Sequence, residues 1–330
     1  MRNLIFRLDV DNGRFAGTGH FKRIQIIYDF LKRKYTKLNF YFLYKNLINS
    51  KNTLDQLTKK KHIIYDKNFK KKLTFINKED ILICDTPFGI DSVIKKFVQK
   101  KKIYKVLLLD DLNRPKLEKC TIINGIKSFK AKIKSNNTVR IYSGVKYILL
   151  DKLYSNTSIN KKNKKFTILL TLGGTDLGNN LYKILSILIK IPNIKILVIV
   201  GSQIKKNSQI FKIKNKKIKF VFNKKNLYKY YCNSTISITA GGISMFESVA
   251  LNKPTLVFQT HEHQKYAIQY LLKKNSIIKI GSRGKVQKKK LYKIINLFIQ
   301  NKIKLYPNNA SIDGMGYNRI LKIIKTIINK

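Results

Sequence analysis

Short apolar runs that alternate with segments of helical periodicity constrain this chain more than any other feature. Residues 4–8 form an apolar run that Asp9 ends, and Ile24, Ile27 and Leu31 then repeat at helical spacing. The same alternation resumes in the second half of the chain. Strands that alternate with helices indicate a parallel sheet covered by helices on both faces. We therefore predict an α/β fold with two Rossmann-like domains and a cleft between them.

The expected elements and domains follow from this alternation. We predict an N-terminal domain at residues 1–154, a polar linker at 155–165, a C-terminal domain at 166–315 and a terminal amphipathic helix within 316–330 that could pack back on the first domain. We predict strands at residues 4–8, 38–43, 81–84, 104–109, 166–170, 194–200, 218–222, 235–239 and 255–258. We predict helices from residue 20 and at residues 177–189, 243–251, 263–273 and 317–329.

The chain carries a formal net charge of +52, from 69 Lys and Arg residues against 17 Asp and Glu residues. Such a balance suggests a polyanion partner. However, the basic residues are nearly all lysines spread among Asn and Ile, which is typical of an A/T-biased genome, and no RNA- or DNA-binding motif accompanies them. We therefore expect no dedicated nucleic-acid partner. A weak peripheral contact of the lysines with an anionic membrane stays open.

The sequence indicates a cytoplasmic protein. Its three cysteines, Cys84, Cys120 and Cys232, are far apart and form no CxxC pair, as expected in a reducing compartment. The first nine residues are too short and too charged for a signal peptide, and no apolar stretch is long enough to span a bilayer. The oligomeric state is not indicated.

Six of the 16 glycines lie in three short loops at predicted strand–helix junctions. Glycine permits positive φ angles and a close approach of backbone to a ligand. In the first loop, Gly17 and Gly19 precede His20 at the start of a helix, where backbone N–H groups can face an anion. His20 is therefore a candidate catalytic residue at the carboxyl edge of the sheet. The alternative is a histidine at the helix start that faces solvent.

The second loop contains Gly173, Gly174, Thr175 and Asp176. Its backbone amides and the Thr175 hydroxyl could bind a phosphate. Alternatively, Thr175 or Asp176 caps the helix that follows, and both roles are compatible.

The third loop contains Gly241 and Gly242 before a helix, an arrangement that can form an anion-binding nest. Glu247, about one turn into that helix, could accept hydrogen bonds from two ribose hydroxyls. Alternatively, Ser244 and Glu247 have the spacing of a capping box that satisfies the helix's own amides.

Together with their flanking segments, these loops resemble the UDP-sugar hydrolases of pseudaminic acid biosynthesis, the PseG/SpsG family, which is related to the MurG-type GT-B glycosyltransferases. The resemblance covers most of the chain. The fairly specific segments are Gly17-x-Gly19-His20-x-x-Arg23 and Gly173-Gly174-Thr175-Asp176, and GT-B transferases generally share the segment at residues 240–247. The other matching segments are Arg7-Leu8-Asp9, Ile83-Cys84-Asp85, Gly89-Ile90-Asp91, Leu109-Asp110-Asp111, residues 143–147 and Asn252-Lys253-Pro254.

The resemblance implies that His20 is catalytic and that the second half binds UDP. It also implies addition of water to the anomeric carbon of a UDP-linked diacetamido-trideoxy sugar, with no metal and no other cofactor. Gln264 lies where GT-B transferases often contact the donor sugar. The candidate substrate-binding residues are Asp9, Gly17, Gly19, Arg23, Gly173, Gly174, Thr175, Gly241, Gly242, Ser244, Glu247 and Gln264.

Physical chemistry agrees with this function and leaves others open. A histidine with its ordinary pKa of about 6.5 suits the activation of water near neutral pH, and fixed backbone donors suit the stabilisation of a departing diphosphate. A glycosyltransferase of cell-surface polysaccharide synthesis, with a sugar acceptor in place of water, is the main alternative. A non-catalytic polyanion-binding protein is a third. His261 and His263 could pair on a metal, but no third ligand is apparent.

Overall fold

The computed structural model comprises two compact units, residues Met1–Leu149 with Gly316–Lys330 and residues Leu150–Met315. The predicted division at residue 154 differs from this one. Tyr154 packs edge-on against Tyr228 and Tyr231 of the second unit, with ring centroids 5.8 and 6.3 Å apart. The structure describes residues 2–9, 19–44, 62–64, 68–86, 90, 92–109, 117–126, 138–155, 165–174, 176, 178–201, 204, 207–222, 224, 226–282 and 284–329, so most of the predicted linker lies outside the described residues.

A parallel sheet with helices on both faces forms the first unit. Its elements before the second unit are β1 (Asn3–Leu8), α1 (Gly19–Lys34), β2 (Asn39–Tyr44), β3 (His62–Ile64), α2 (Phe69–Lys72), β4 (Ile81–Asp85), α3 (Ser92–Lys100), β5 (Lys105–Leu109), β6 (Cys120–Asn124) and β7 (Val139–Ser143). The sheet has seven strands in the order β3-β2-β1-β4-β5-β6-β7, and all neighbouring pairs are parallel.

The central strand β1 is buried along its whole length because both faces of the sheet are covered. Phe6 faces α1, stacks on Phe42 at 5.2 Å between ring centroids and meets the ring of Tyr28 edge-on at 6.1 Å. Its neighbour Ile5 belongs to the core on the opposite face, with Ile94 of α3. This two-sided burial explains why β1 has consecutive apolar residues, interrupted only by the buried Arg7 between Phe6 and Leu8, and no alternation of apolar and polar residues.

A second sheet of the same kind forms the other unit. Its elements are β8 (Phe166–Thr171), α4 (Asn180–Leu188), β9 (Ile194–Val200), β10 (Ile218–Phe222), α5 (Tyr228–Cys232), β11 (Ile236–Ala240), α6 (Ile243–Ala250), β12 (Thr255–Gln259), α7 (Lys265–Lys273), β13 (Ile277–Ser282), β14 (Lys285–Val286) and α8 (Lys288–Ile299). The strand order is β10-β9-β8-β11-β12-β13-β14, and only β14 is antiparallel to its neighbour. The predicted α/β class with two Rossmann-like parallel sheets is confirmed.

Hydrogen bonds between buried hydroxyl groups connect α6 to β11 and β12 of its sheet. The Oγ of Ser248 in α6 lies 2.5 Å from the Oγ of Ser237 in β11 and 2.8 Å from the Oγ1 of Thr255 in β12. Thr255 also donates to the carbonyl of Lys253. Because buried hydroxyls are costly unless they are hydrogen-bonded, this network fixes the position of α6 over the sheet.

The terminal helix α9 (Gly316–Asn329) completes the first unit. Its apolar face, including Ile320 and Ile324, is buried in the same core as Phe6 and α1. No helix in the described part of the chain is long and apolar enough to cross a membrane.

We predict that Ile324→Ala lowers the free energy of unfolding of the first unit by about 2–5 kcal/mol, because truncation of a buried isoleucine leaves a cavity. Lys322→Ala on the exposed face of the same helix is the matched control and should change it by less than about 0.5 kcal/mol. Urea unfolding followed by circular dichroism measures both. Equal stability of the two variants would contradict the packing of α9 in this core.

Candidate functional site

In the first unit, the parallel pairing of β1 with β4 brings two distant segments together. Leu8 at the end of β1 pairs with Asp85 at the end of β4, and α1 begins at Gly19 after the first glycine loop. His20, the second residue of α1, places its Nδ1 atom 2.5 Å from Oδ1 of Asp85. His20 at the start of α1 and Asp85 at the end of β4 therefore form a histidine–carboxylate pair at the carboxyl edge of the sheet. Gly17 lies outside the described residues.

Arg23 binds the same carboxylate with two nitrogens. Its Nε donates to Oδ2 of Asp85 and its NH2 to Oδ1, each at 2.8 Å. Asp85 is completely buried. Burial opposes its ionisation, but the charges and hydrogen bonds of Arg23 and His20 outweigh that cost and lower the pKa of Asp85 to about 2. Asp85 is therefore a carboxylate at neutral pH.

The contacts of Nδ1 bear on which nitrogen of His20 carries the proton. A carboxylate only accepts hydrogen bonds, so the 2.5 Å contact with Oδ1 of Asp85 favours a proton on Nδ1 of the neutral ring. The longer contact of the same atom, 2.9 Å to a guanidinium nitrogen of Arg23, favours the opposite tautomer. With the proton on Nδ1, Nε2 keeps its lone pair and can accept a proton from a reactant. That arrangement is a histidine base whose orientation is fixed by a carboxylate.

Asp9, a predicted substrate-binding residue, is engaged by its own chain. It forms an ion pair with the buried guanidinium of Arg7, whose NH2 also donates to Oδ2 of Asp9 at 3.2 Å. Arg23, predicted to bind substrate, contacts His20 and Asp85 and is mostly buried. In the structure, Asp9 therefore pairs with Arg7 at the end of β1, whereas Arg23 belongs to the cluster of His20 and Asp85.

In the second unit, a side chain of the same loop accepts hydrogen bonds from backbone N–H groups at the N-terminus of α4. The carboxylate of Asp176 accepts hydrogen bonds from the backbone N–H groups of Asn180 at 2.9 Å and Leu181 at 3.0 Å. Burial raises the pKa of Asp176, which these hydrogen bonds partly offset. The alternative prediction, that Asp176 serves the helix start, is therefore confirmed, and its carboxylate occupies the first two amides of this helix. Thr175 lies outside the described residues.

The N-terminus of α6 is different. The capping residue is Gly242, which has no side chain, and no side-chain capping hydrogen bond is made. The predicted capping box of Ser244 and Glu247 is wrong because the helix already begins at Ile243, so Ser244 lies within the first turn. The positive end of this helix dipole is thus left without a side-chain acceptor.

Gly241 and Gly242, the two glycines before α6, differ in what a side chain at each position would contact. A Cβ on Gly241 would lie 2.6 Å from Cδ1 of Ile268, so Gly241 allows close packing against α7. A Cβ on Gly242 would meet only the Nε2 of Gln264, at 3.9 Å. Packing therefore explains Gly241 but not Gly242, whose missing side chain leaves open space in front of the helix.

Gln264 faces this space with a defined amide orientation. Its Oε1 accepts hydrogen bonds from the backbone N–H of Thr260 at 3.0 Å, the Thr260 hydroxyl at 3.2 Å and the backbone N–H of His261 at 3.3 Å. Three donors on one oxygen assign Nε2 to the other position, next to Gly242. The carboxamide therefore presents hydrogen-bond donors beside the N-terminus of α6.

Glu247, predicted to accept ribose hydroxyls, is completely buried in α6. It lies near Tyr231, whose hydroxyl donates to the carbonyl of Ser244 at 2.9 Å. Burial, and secondly the charge of Glu247, raise the pKa of Tyr231. A ribose could reach this carboxylate only after movement of the side chains that cover it.

The rings of His261 and His263 lie 5.3 Å apart between centroids at an interplanar angle of 31°, and Nδ1 of His261 lies 2.9 Å from the Thr260 hydroxyl. Within the described ranges, no group of three or more His, Cys, Asp or Glu residues has the geometry of a metal site.

Comparison with known proteins identifies the fold. No protein-family model matches the chain. It is similar to the spore coat polysaccharide biosynthesis protein SpsG of Bacillus subtilis, with 23% identity over 263 residues that cover 76% of this chain and 77% of SpsG. The structure is similar to MurG of Acinetobacter baumannii, with a TM-score of 0.59 and 11% identity over 99% of this chain and 100% of MurG. It is also similar to a UDP-GlcNAc 2-epimerase of Methanocaldococcus jannaschii, solved with UDP-GlcNAc and UDP, with a TM-score of 0.56 and 14% identity over 98% of this chain and 99% of that one.

The fold is that of the GT-B glycosyltransferases and their relatives. Two residues of the site were missed among the sequence candidates. Asp85 carried a usable signal, because it ends a strand that a parallel sheet can place beside β1. Gly201, which follows β9 and contacts the Gly173–Gly174 segment, carried no signal, because only a long-range contact reveals it.

We predict that Asp85→Asn removes about 2 kcal/mol of stability at pH 7. The pKa of Asp85 is lowered, so its ionised form stabilises the fold above its ordinary pKa of 3.8, and this contribution is lost as pH falls towards 2. The wild type should therefore lose more stability than the variant between pH 5 and pH 2.

The control for this prediction is Glu79→Gln, which removes an exposed carboxylate paired with Lys105 and should have little effect. Urea unfolding at a series of pH values measures all three proteins. A wild type and an Asp85→Asn variant with parallel pH dependences would contradict the ion pairing of Asp85.

Proposed function

We propose that this chain is a UDP-sugar hydrolase. Its substrate would be a UDP-linked diacetamido-trideoxy sugar of pseudaminic acid biosynthesis, and water would attack the anomeric carbon. The observation that carries the proposal is the histidine base of the first unit, His20, which the buried carboxylate of Asp85 orients. The similarity to SpsG and to GT-B enzymes solved with UDP-sugars supports the nucleotide-sugar class.

The proposed reaction needs a base and a stabilised leaving group. Nε2 of His20 takes a proton from water as the water oxygen bonds to the anomeric carbon. The bond between that carbon and the diphosphate oxygen breaks, and UDP leaves with the electron pair. Protonated His20 is stabilised by the negative charge of Asp85.

The second unit supplies the proposed diphosphate site at the N-terminus of α6. Amides of its first turn lack a side-chain cap, Gly242 leaves space in front of them, and Gln264 adds donors from the side. Fixed donors of this kind stabilise the charge that develops on the departing diphosphate. The N-terminus of α4 is not used in this way because Asp176 already occupies it.

A glycosyltransferase is the second candidate. The MurG-like fold supports it, and His20 would deprotonate a sugar hydroxyl in place of water. Incubation with UDP-sugars, with and without candidate acceptors, separates the two. UDP release without acceptor supports the hydrolase, and release only with acceptor supports the transferase. Activity should survive EDTA because backbone amides and the Gln264 carboxamide, and not a metal ion, hold the diphosphate in this proposal. Absence of UDP release under both conditions would reject both candidates.

We predict that His20→Ala or His20→Asn lowers kcat by about 10²–10⁴-fold, the usual contribution of general-base catalysis, with a smaller change in KM. UDP affinity, measured by calorimetry, should stay nearly unchanged because the proposed UDP site belongs to the second unit. Gln25→Ala on the same helix is the matched control and should retain activity. Normal turnover of a folded His20 variant would reject the catalytic role.

We predict that Gly242→Ala weakens UDP binding by about tenfold or more, because a methyl group enters the space in front of the helix amides. Stability should change little, since only Nε2 of Gln264 lies within 4 Å. Gly241→Ala is the matched control. It forces Ile268 to shift and should lower stability more than UDP affinity.

Gln264→Glu tests the donor role separately. It keeps an oxygen for the three hydrogen bonds at Oε1 and replaces the donating nitrogen with an anionic oxygen. UDP affinity should fall because this oxygen repels a phosphate. Wild-type affinity in both Gly242→Ala and Gln264→Glu would reject the site.

A further inference from the structure

Gly201 lies directly against two peptide groups of the second glycine loop. A Cβ built on Gly201 would lie 2.3 Å from the carbonyl oxygen of Gly173 and 2.5 Å from that of Gly174. Both obstacles are backbone atoms, which cannot rotate away as the end of a flexible side chain can. The observed path of the loop is therefore compatible only with glycine at position 201.

This contact also determines the direction of an amide. The carbonyl of Gly173 points at Gly201, and the structure has no cis peptide bonds in its described residues. In a trans peptide group, the C=O and N–H bonds point in opposite directions. The N–H of Gly174, which shares a peptide group with that carbonyl, thus points away from Gly201. It donates to no acceptor in the described part of the chain.

Gly173 has the conformation that this orientation needs. Its φ angle is +93°, a left-handed value that side chains disfavour, and a Cβ there would meet no atom within 4 Å. Conformation alone thus explains the glycine at 173, and close contact alone explains the glycine at 201. The positive φ angle of Gly173 and the close contact of Gly201 therefore both determine the direction of the Gly174 N–H, which points away from Gly201.

We infer that Gly201 is a positioning residue that directs the Gly174 N–H at an anionic oxygen of the bound nucleoside diphosphate. This inference rests on the proposed function, in which the second unit binds UDP. A methyl group at position 201 displaces the Gly173 and Gly174 carbonyls and turns the amide away. The ligand then loses one charge-assisted hydrogen bond.

Gly201→Ala should weaken UDP binding by about 10- to 100-fold, the effect of one hydrogen bond to a charged group. Gly316→Ala is the matched control. It makes a similar backbone clash, 2.1 Å from the carbonyl oxygen of Ile148, but within the first unit. If both variants lose similar stability and only Gly201→Ala loses UDP affinity, the loss comes from position and not from general destabilisation.

Calorimetry with UDP and amide NMR are the measurements. In the wild type, UDP should shift the amide resonance of Gly174, and in Gly201→Ala this shift should be lost. If Gly201→Ala does not fold, Gly173→Ala replaces it, because it disturbs the same peptide by strain without a clash, and it should show the same losses. A folded variant that binds UDP within about twofold of wild type, or a wild-type Gly174 resonance that UDP does not move, would overturn the inference. A wild type that binds no UDP would instead overturn the proposed function.

Discussion

The buried carboxylate of Asp85 is the interaction on which the first unit's site depends. An isolated buried charge is too costly to persist, so it must be neutralised by close partners. Arg23 supplies two donors and His20 a third, and all three groups meet where β1 and β4 end. Because His20 and Arg23 lie one turn apart on α1, a single carboxylate fixes the helix and the imidazole orientation together.

The second unit builds its site with backbone groups, although its sheet is constructed in the same way. Side-chain chemistry closes one helix terminus, where Asp176 binds the amides of α4, and leaves the terminus of α6 open. Contacts too close for a side chain place Gly241 against α7 and Gly201 against the second loop. In the proposed function, His20 acts as the base and the backbone donors of the second unit stabilise the departing diphosphate.

Periodicity predicted the sheets because a strand covered on both faces is mostly apolar along its length, and β1, β8 and β12 meet that condition. The same criterion missed β6, β7 and α8, whose apolar residues are interspersed with polar or basic ones. The three glycine loops could be recognised in the sequence because six of the 16 glycines lie in them, which a general bias in composition does not explain. The capping box was wrong because the N-cap is Gly242, two residues before Ser244, and spacing alone cannot determine where a helix begins. Asp85 with His20 and Gly201 with Gly173 are contacts between distant segments, and only the folded sheet brings them together.

The net charge of +52 contrasts with the acidic residues of the interior. Acidic residues are few, yet Asp9, Asp80, Asp85 and Glu247 are buried. Asp80 accepts hydrogen bonds from the backbone and side chain of Asn3, Asp9 pairs with Arg7, and Asp85 pairs with Arg23 and His20. A compositional drift towards lysine does not explain these interior acids, three of which have defined partners in the structure. Surface lysines would speed the encounter with any polyanion, since long-range attraction is not selective. In the proposed function, selection of a diphosphate therefore comes from donors with fixed directions, which are the backbone amides and the Gln264 carboxamide of the second unit.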